Sequence, residues 1–203
     1  MSGNTALLTT PDGYTGQCCI VYKWRLPDAS FNITIDIAEY TSVGTYGQQV
    51  GIWVSDALPV NCNLDAGSEC EVEVRQTGAI DNFQHVIFAI GGSVALNSQP
   101  KAEKLRMVWN KDTNSLSGYA YYSGSWYLIG SRTLTSYRPY LCLYSKGVDT
   151  GAYHGGTVKF DNLVFKYGCP DITPTAWTTT STSSSTTCST CSTLSTFSTE
   201  PPP

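Results

Sequence analysis

The chain has 203 residues, a formal net charge of −4 and only 14% charged residues, against about 25% in a typical globular protein. That length fits one ordinary domain with an appendage. The lack of a basic cluster argues against nucleic acid and anionic membrane as partners, because phosphate recognition needs concentrated Lys and Arg. No run approaches the roughly 18 apolar residues of a membrane-spanning helix, so no membrane span is expected.

Taken in chain order, residues 1–30 hold one or two strands around Cys18–Trp24, preceded by the turn Pro11-Asp12-Gly13. Phe31–Tyr40 alternates cleanly, with Phe31, Ile33, Ile35 and Ile37 on one face and Asn32, Thr34 and Asp36 on the other. This is the period of a half-buried strand. Asn32-Ile33-Thr34 is an N-glycosylation sequon on the polar side of that strand, which makes Asn32 a modification candidate. Gln49–Ser55, Cys70–Gln76 and Phe83–Ile90 follow as strands separated by Gly, Asp or Asn. Lys104–Ser131 then reads as a three-strand meander: Lys104–Trp109, a turn at Asn110–Asn114, Leu116–Tyr122, a short loop at Ser123-Gly124-Ser125, and Trp126–Gly130. Tyr140–Tyr144 and Val158–Lys166 complete the set. No segment carries a sustained 3.6-residue apolar period, so the fold class is all-β, an antiparallel sandwich or barrel over residues 1–170.

Residues 171–203 differ abruptly. Between 178 and 199, Ser or Thr fills 18 of 22 positions, too little apolar surface to offset the entropy of ordering. Dense Ser/Thr beside Pro is the composition of an O-glycosylated stalk. Its candidate acceptors are Thr178, Thr179, Thr180, Ser181, Thr182, Ser183, Ser184, Ser185, Thr186 and Thr187. A flexible linker is the plainer reading.

Eight cysteines argue for an oxidising, extracellular or cell-surface setting. Cys62 and Cys70 bracket a short polar loop and are the simplest disulfide to expect. Cys18 and Cys19, facing opposite ways on one strand, would bond different partners. Cys142 and Cys169 have open connectivity, and Cys188 and Cys191 in the tail suit a local or interchain disulfide. The N-terminus, MSGNTALLTTPDG, lacks the charged and apolar regions of a secretory leader, so the chain reads as a fragment or an incomplete gene product.

In the order of these strands the chain resembles the concanavalin A-like, laminin-G-like jelly rolls of secreted multidomain proteins, over roughly residues 5–167. The likeness sits in Phe31–Ile37 followed by Gly47–Val54, in the Leu105–Ile129 meander, and in Val158–Phe165 with its Asp-Asn pair. It implies a two-sheet antiparallel sandwich, used for carbohydrate or protein recognition and sometimes for glycoside hydrolysis. The laminarinase-type hydrolases of that superfamily carry Glu-Ile-Asp-Ile-x-Glu on one strand. Thr34-Ile35-Asp36-Ile37-Ala38-Glu39 has the spacing, but threonine stands where the nucleophilic carboxylate belongs, and retaining hydrolysis needs two carboxyls. A degenerate hydrolase is therefore the remotest reading, and no catalytic residue is expected.

Other chemistry is sparse. His85 reads as a packed residue and His154 as part of a glycine-rich loop that could touch a ligand. Cys188 and Cys191 have no second pair for zinc. Asp12, Asp65, Asp149, Asp161 and Asn162 read as turn residues rather than calcium ligands, so no metal or cofactor is expected. The aromatic residues, 13 Tyr and 5 Trp, are the remaining handle. If Trp126 and Leu128 face the core, Tyr127 faces solvent, and an outward Tyr122 would join it as a stacking platform. Tyr121, Tyr122, Trp126, Tyr127 and His154 are thus the candidate ligand contacts. The expected function is a non-catalytic extracellular module binding a glycan or a surface protein. The alternative is a structural subunit of a glycoprotein filament or coat, self-assembling through its tail.

Overall fold

The computed structural model describes residues 6–10, 17–42, 48–58, 69–76, 82–89, 92–135, 138–147, 156–168 and 192–194. Among the described residues are thirteen strands: β1 (Ala6–Thr10), β2 (Gln17–Arg25), β3 (Phe31–Ser42), β4 (Gln48–Ser55), β5 (Glu69–Gln76), β6 (Phe83–Ala89), β7 (Gly92–Gln99), β8 (Lys104–Asn110), β9 (Ser115–Tyr122), β10 (Ser125–Thr133), β11 (Tyr140–Gly147), β12 (Gly156–Tyr167) and β13 (Ser192–Leu194). They form two antiparallel sheets. Sheet A runs β1-β12-β3-β8-β9-β10, with β13 also paired to β12, and sheet B runs β2-β11-β4-β5-β6-β7. Of the sandwich or barrel that the strand pattern allows, this is the sandwich, the architecture that the family resemblance implies.

The period-2 alternation decides which face of each strand is inside. Phe31, Ile33 and Ile35 of β3 stand opposite Trp109, Met107 and Leu105 of β8, and all six are buried. On sheet B, Val50, Ile52 and Val54 of β4, with Val72 and Val74 of β5, project into the same core. Ile87 of β6 reaches across to sheet A, where it packs against Gly118 and Gly130. A methyl group added at either glycine would come within 2.9 Å of an Ile87 carbon. Those two glycines are therefore the socket that lets the sheets approach.

Two elements depart from the expectation. β7 was not foreseen, because GSVALNSQ is largely exposed and has few apolar positions. It is an edge strand paired to β6, with only Val94 and Leu96 partly buried against the core. In the tail, Ser192–Leu194 pairs antiparallel with Phe165–Tyr167 of β12, on the same edge that β1 occupies at Gly156–Phe160.

His154, Cys62, Cys169, Cys188, Cys191, Thr178 to Thr187, Asp12, Asp65 and Asp149 lie outside the described residues. Cys19 is disulfide-bonded, and Cys18 precedes it in β2. Cys70 points from β5 into the interior core, and Cys142 is buried beside Trp53 and Tyr144.

Candidate functional site

The outer face of sheet A gathers two of the candidate aromatics, Tyr121 and Trp126, while Tyr127, 39% exposed as expected of a solvent-facing ring, lies on the opposite face. Register places its side chains in parallel rows. One row holds Asp36, Lys104, Tyr121 and Trp126, and the next holds Thr34, Arg106, Tyr119 and Leu128. Tyr121 and Trp126 are half-buried, and their rings meet edge to face with centroids 5.2 Å apart. The Arg106 guanidinium lies 4.0 Å from the Trp126 ring centroid, and Lys104 Nζ lies 5.9 Å from that of Tyr121. Leu128 is 53% exposed beside them.

Polar contacts hold this face in one arrangement. Lys104 pairs with Asp36 at 2.9 Å, and Asn162 Nδ2 donates to the same carboxylate at 2.9 Å. Asn162 reaches it from a bulge in β12, where its φ is 50°, a conformation that Asn tolerates better than most residues. The Asp161 carboxylate accepts from the Asn162 backbone N–H at 2.8 Å. Arg106 Nε donates to Thr34 Oγ1 at 3.3 Å. The result is an apolar strip, its two rings edge to face, rimmed by fixed donors and acceptors. A sugar offers complementary chemistry, with apolar C–H faces and polar edges.

The remaining candidates fall elsewhere, which corrects the expected platform. Tyr122 faces inward and is buried, and its hydroxyl donates to Gln99 Oε1 at 2.8 Å. Tyr127 stacks on it with ring centroids 4.1 Å apart and planes 9° from parallel. Trp126 and Leu128, expected inside, project outward. The cause lies in β9, whose inner positions Leu116, Gly118 and Ala120 are fixed by the core and by Ile87. Pairing of Trp126 with Tyr121 and of Tyr127 with Ala120 then sets the faces of β10. His85 is fully buried, as a packed residue, with its ring 5.1 Å from that of Tyr122. Burial pushes its pKa down to about 4, so it is neutral at physiological pH.

One charged cluster escaped the sequence reading. On the outer face of sheet B, Glu71 and Glu73 project from the same side of β5. The Tyr144 hydroxyl donates to Glu73 Oε2 at 2.6 Å and is also hydrogen-bonded to Glu71. Arg75 closes on Glu73 Oε1 through Nη2 at 2.9 Å and Nε at 3.1 Å. Glu73, Tyr144 and the adjacent Trp53 have no exposure to solvent. Burial first, and the Glu73 charge second, push Glu71 up to about 8. Burial also raises Glu73 against the opposing pull of Arg75 and Tyr144. The signal was present in Glu71-Val72-Glu73-Val74-Arg75, whose strict alternation puts three charges on one strand face. Because Glu73 and Tyr144 are shielded from solvent, this cluster clamps β5 to β11 across β4 and presents no open acid–nucleophile pair.

Asp36 and Glu39, the hydrolase-like pair of β3, are tied into ion pairs with Lys104 and Lys159. Among the described residues, no group of three or more His, Cys, Asp or Glu is placed to hold a metal ion, and no helix is long and apolar enough to cross a membrane.

No protein-family model and no curated protein matches the sequence. Solved structures do match in fold. A legume lectin-like domain from Entamoeba histolytica aligns with a TM-score of 0.58 at 10% identity, over 78% of this chain and 85% of that one. A functionally unknown protein from Saccharomyces cerevisiae aligns at 0.52 with 14% identity, over 79% and 86%. A family 18 polysaccharide lyase aligns at 0.50 with 10% identity, over 81% and 88%. The chain has the legume-lectin-like, concanavalin A-like jelly-roll fold.

Proposed function

We propose that this sandwich is a non-catalytic carbohydrate-recognition module of an extracellular protein, with its binding surface on the outer face of sheet A. The observation that carries the reading is the half-exposed Trp126–Tyr121 pair, rimmed by Arg106, Lys104, Asp36 and Asn162 in a bonded network. The fold shared with a legume lectin-like domain supports it. The Cys19 disulfide and the Asn32 sequon support the oxidising compartment.

The test is glycan-array binding by the unglycosylated chain, prepared in an oxidising bacterial compartment. Trp126→Ala is expected to weaken binding by roughly 30-fold or more, the loss of a central aromatic hot spot. Tyr127→Ala, on the opposite face, should leave binding unchanged. A chain that binds no glycan, or one that binds equally well without Trp126, would refute the proposal.

The pairing of β13 with β12 favours a second reading, in which residues 171–203 are an assembly element. A three-residue ladder made within one chain is equally available between chains, since strand addition needs only an open edge and an extended segment. Light scattering on the full chain beside one ending at Cys169 separates the cases. Assemblies that vanish with the tail are expected on this reading, and a monomer in both preparations rules it out.

A further inference from the structure

We propose that Asn32 carries an N-linked glycan whose first sugars lie across the outer face of sheet A, along a shelf of short side chains beside Tyr119 and Leu128. The Asn32 sequon sits on the outer side of β3, half-buried. Thr34 Oγ1 donates to Asn32 Oδ1 at 3.3 Å, which leaves the amide nitrogen, the atom that is glycosylated, without a hydrogen-bond partner among the described residues.

The surface beside that nitrogen suits a sugar. Across β8, β9 and β10 the residues in register with Asn32 are Val108, Ser117 and Ser131. All three are short, and Ser117 Oγ donates to Ser131 Oγ at 3.0 Å. The neighbouring row is tall, with Arg106, Tyr119 and Leu128 standing along one side of this shelf. Three strand spacings place β10 roughly 15 Å from Asn32, a span that the several rings of an N-glycan core cover. Serine hydroxyls on the floor and an apolar wall at the side match the polar edges and C–H faces of such rings. Leu128, 53% exposed on a sheet face, is the group that gains most from cover.

The glycan arrives by transfer from a lipid-linked oligosaccharide pyrophosphate of the secretory pathway. The bond from the anomeric carbon to the pyrophosphate breaks, a bond from that carbon to Asn32 Nδ2 forms, and the amide proton leaves with the lipid pyrophosphate. This site adjoins the aromatic row of the recognition surface but does not depend on it.

The full chain, directed into the secretory pathway of an N-glycosylating eukaryotic host, tests the inference by peptide mass. The Asn32 peptide is expected to carry a glycan that peptide N-glycosidase removes, converting Asn32 to Asp. Hydroxyl-radical footprinting then reads the contact. Labelling of Leu128 should rise several-fold after enzymatic deglycosylation, and equally in Asn32→Gln, while Leu7 and Tyr127 stay constant. Unmodified Asn32 overturns the inference, and so does a glycosylated chain in which Leu128 is labelled as strongly as without the sugar. Array binding with a bare Asn32 would sink only this inference. A protected Leu128 with no array binding would sink only the recognition reading.

Discussion

Replacing Glu73 by Ala is expected to destabilise the fold by about 3 kcal/mol, measured by urea unfolding at pH 7. Removing one member of a buried ion pair typically costs about 3–5 kcal/mol, because the other is left uncompensated. The lower end applies here, since the Arg75 side chain is 26% exposed and can turn toward water. The Tyr144 hydroxyl also loses its 2.6 Å acceptor inside a site closed to solvent. A change below about 1 kcal/mol, the usual scale of an exposed pair, would mean that the cluster does not clamp β5 to β11.

The same cluster sets a pH dependence with a definite sign. Folded Glu71 keeps its proton up to about pH 8, whereas its ordinary value is 4.5. Between those values the folded chain binds more protons than the unfolded chain, so stability falls as pH rises through the window and then levels off. Glu73, also raised by burial, acts in the same direction. His85 opposes both at lower pH. Its folded value is about 4 against an ordinary 6.5, so its contribution grows with pH until about 6.5 and is constant above. The carboxyl effect is therefore cleanest between about pH 6.5 and 8. Over that range the melting temperature should fall for the native chain and fall much less for Glu71→Gln. Parallel curves would exclude Glu71 as the titrating group.

Gly51→Ala is expected to be at least as damaging, at roughly 3 kcal/mol or more, above the usual range for overpacking. A Cβ at this position would overlap the Val72 carbonyl oxygen and lie 3.0 Å from the Glu73 Cα. Both are backbone atoms of β5, so no rotamer change relieves the clash, and the two strands must separate at the centre of sheet B. Gly124 is the control. It has a φ of +79° in the β9–β10 hairpin but nothing within 4 Å of an added Cβ, so its replacement by Ala should cost only the left-handed backbone penalty of about 1–2 kcal/mol. Similar unfolding midpoints for the two variants would contradict the close approach of β4 and β5.

The fold was legible wherever one face of a strand is buried and the other wet. Phe31–Ile37 and Leu105–Trp109 are placed as their alternation implies, because register then has one favourable solution. β7 was illegible because only Val94 and Leu96 of this exposed edge strand turn toward the core, too short an alternation to stand out. The site was only half legible. Tyr121 and Trp126 do form an outward aromatic pair, but Tyr122 and Tyr127 lie on the opposite face. Assigning the largest ring to the core failed because the interior at β9 and β10 is set by small residues, Gly118, Ala120 and Gly130, and Ile87 from the other sheet fills the space over the two glycines. Small inner positions look neutral in a hydrophobic pattern, and only the partner sheet reveals their side. Glu71 and Glu73 were visible as an alternating charged strand. Their burial was not, since it depends on Tyr144, a residue distant in sequence.

The most direct measurement is to record nuclear Overhauser contacts between an array-selected oligosaccharide and the unglycosylated chain. Recognition on the outer face of sheet A requires contacts from the sugar ring protons to the indole of Trp126 and the ring of Tyr121. Contacts to Tyr127, or to Phe88 on the outer face of sheet B, with none to Trp126, would contradict it.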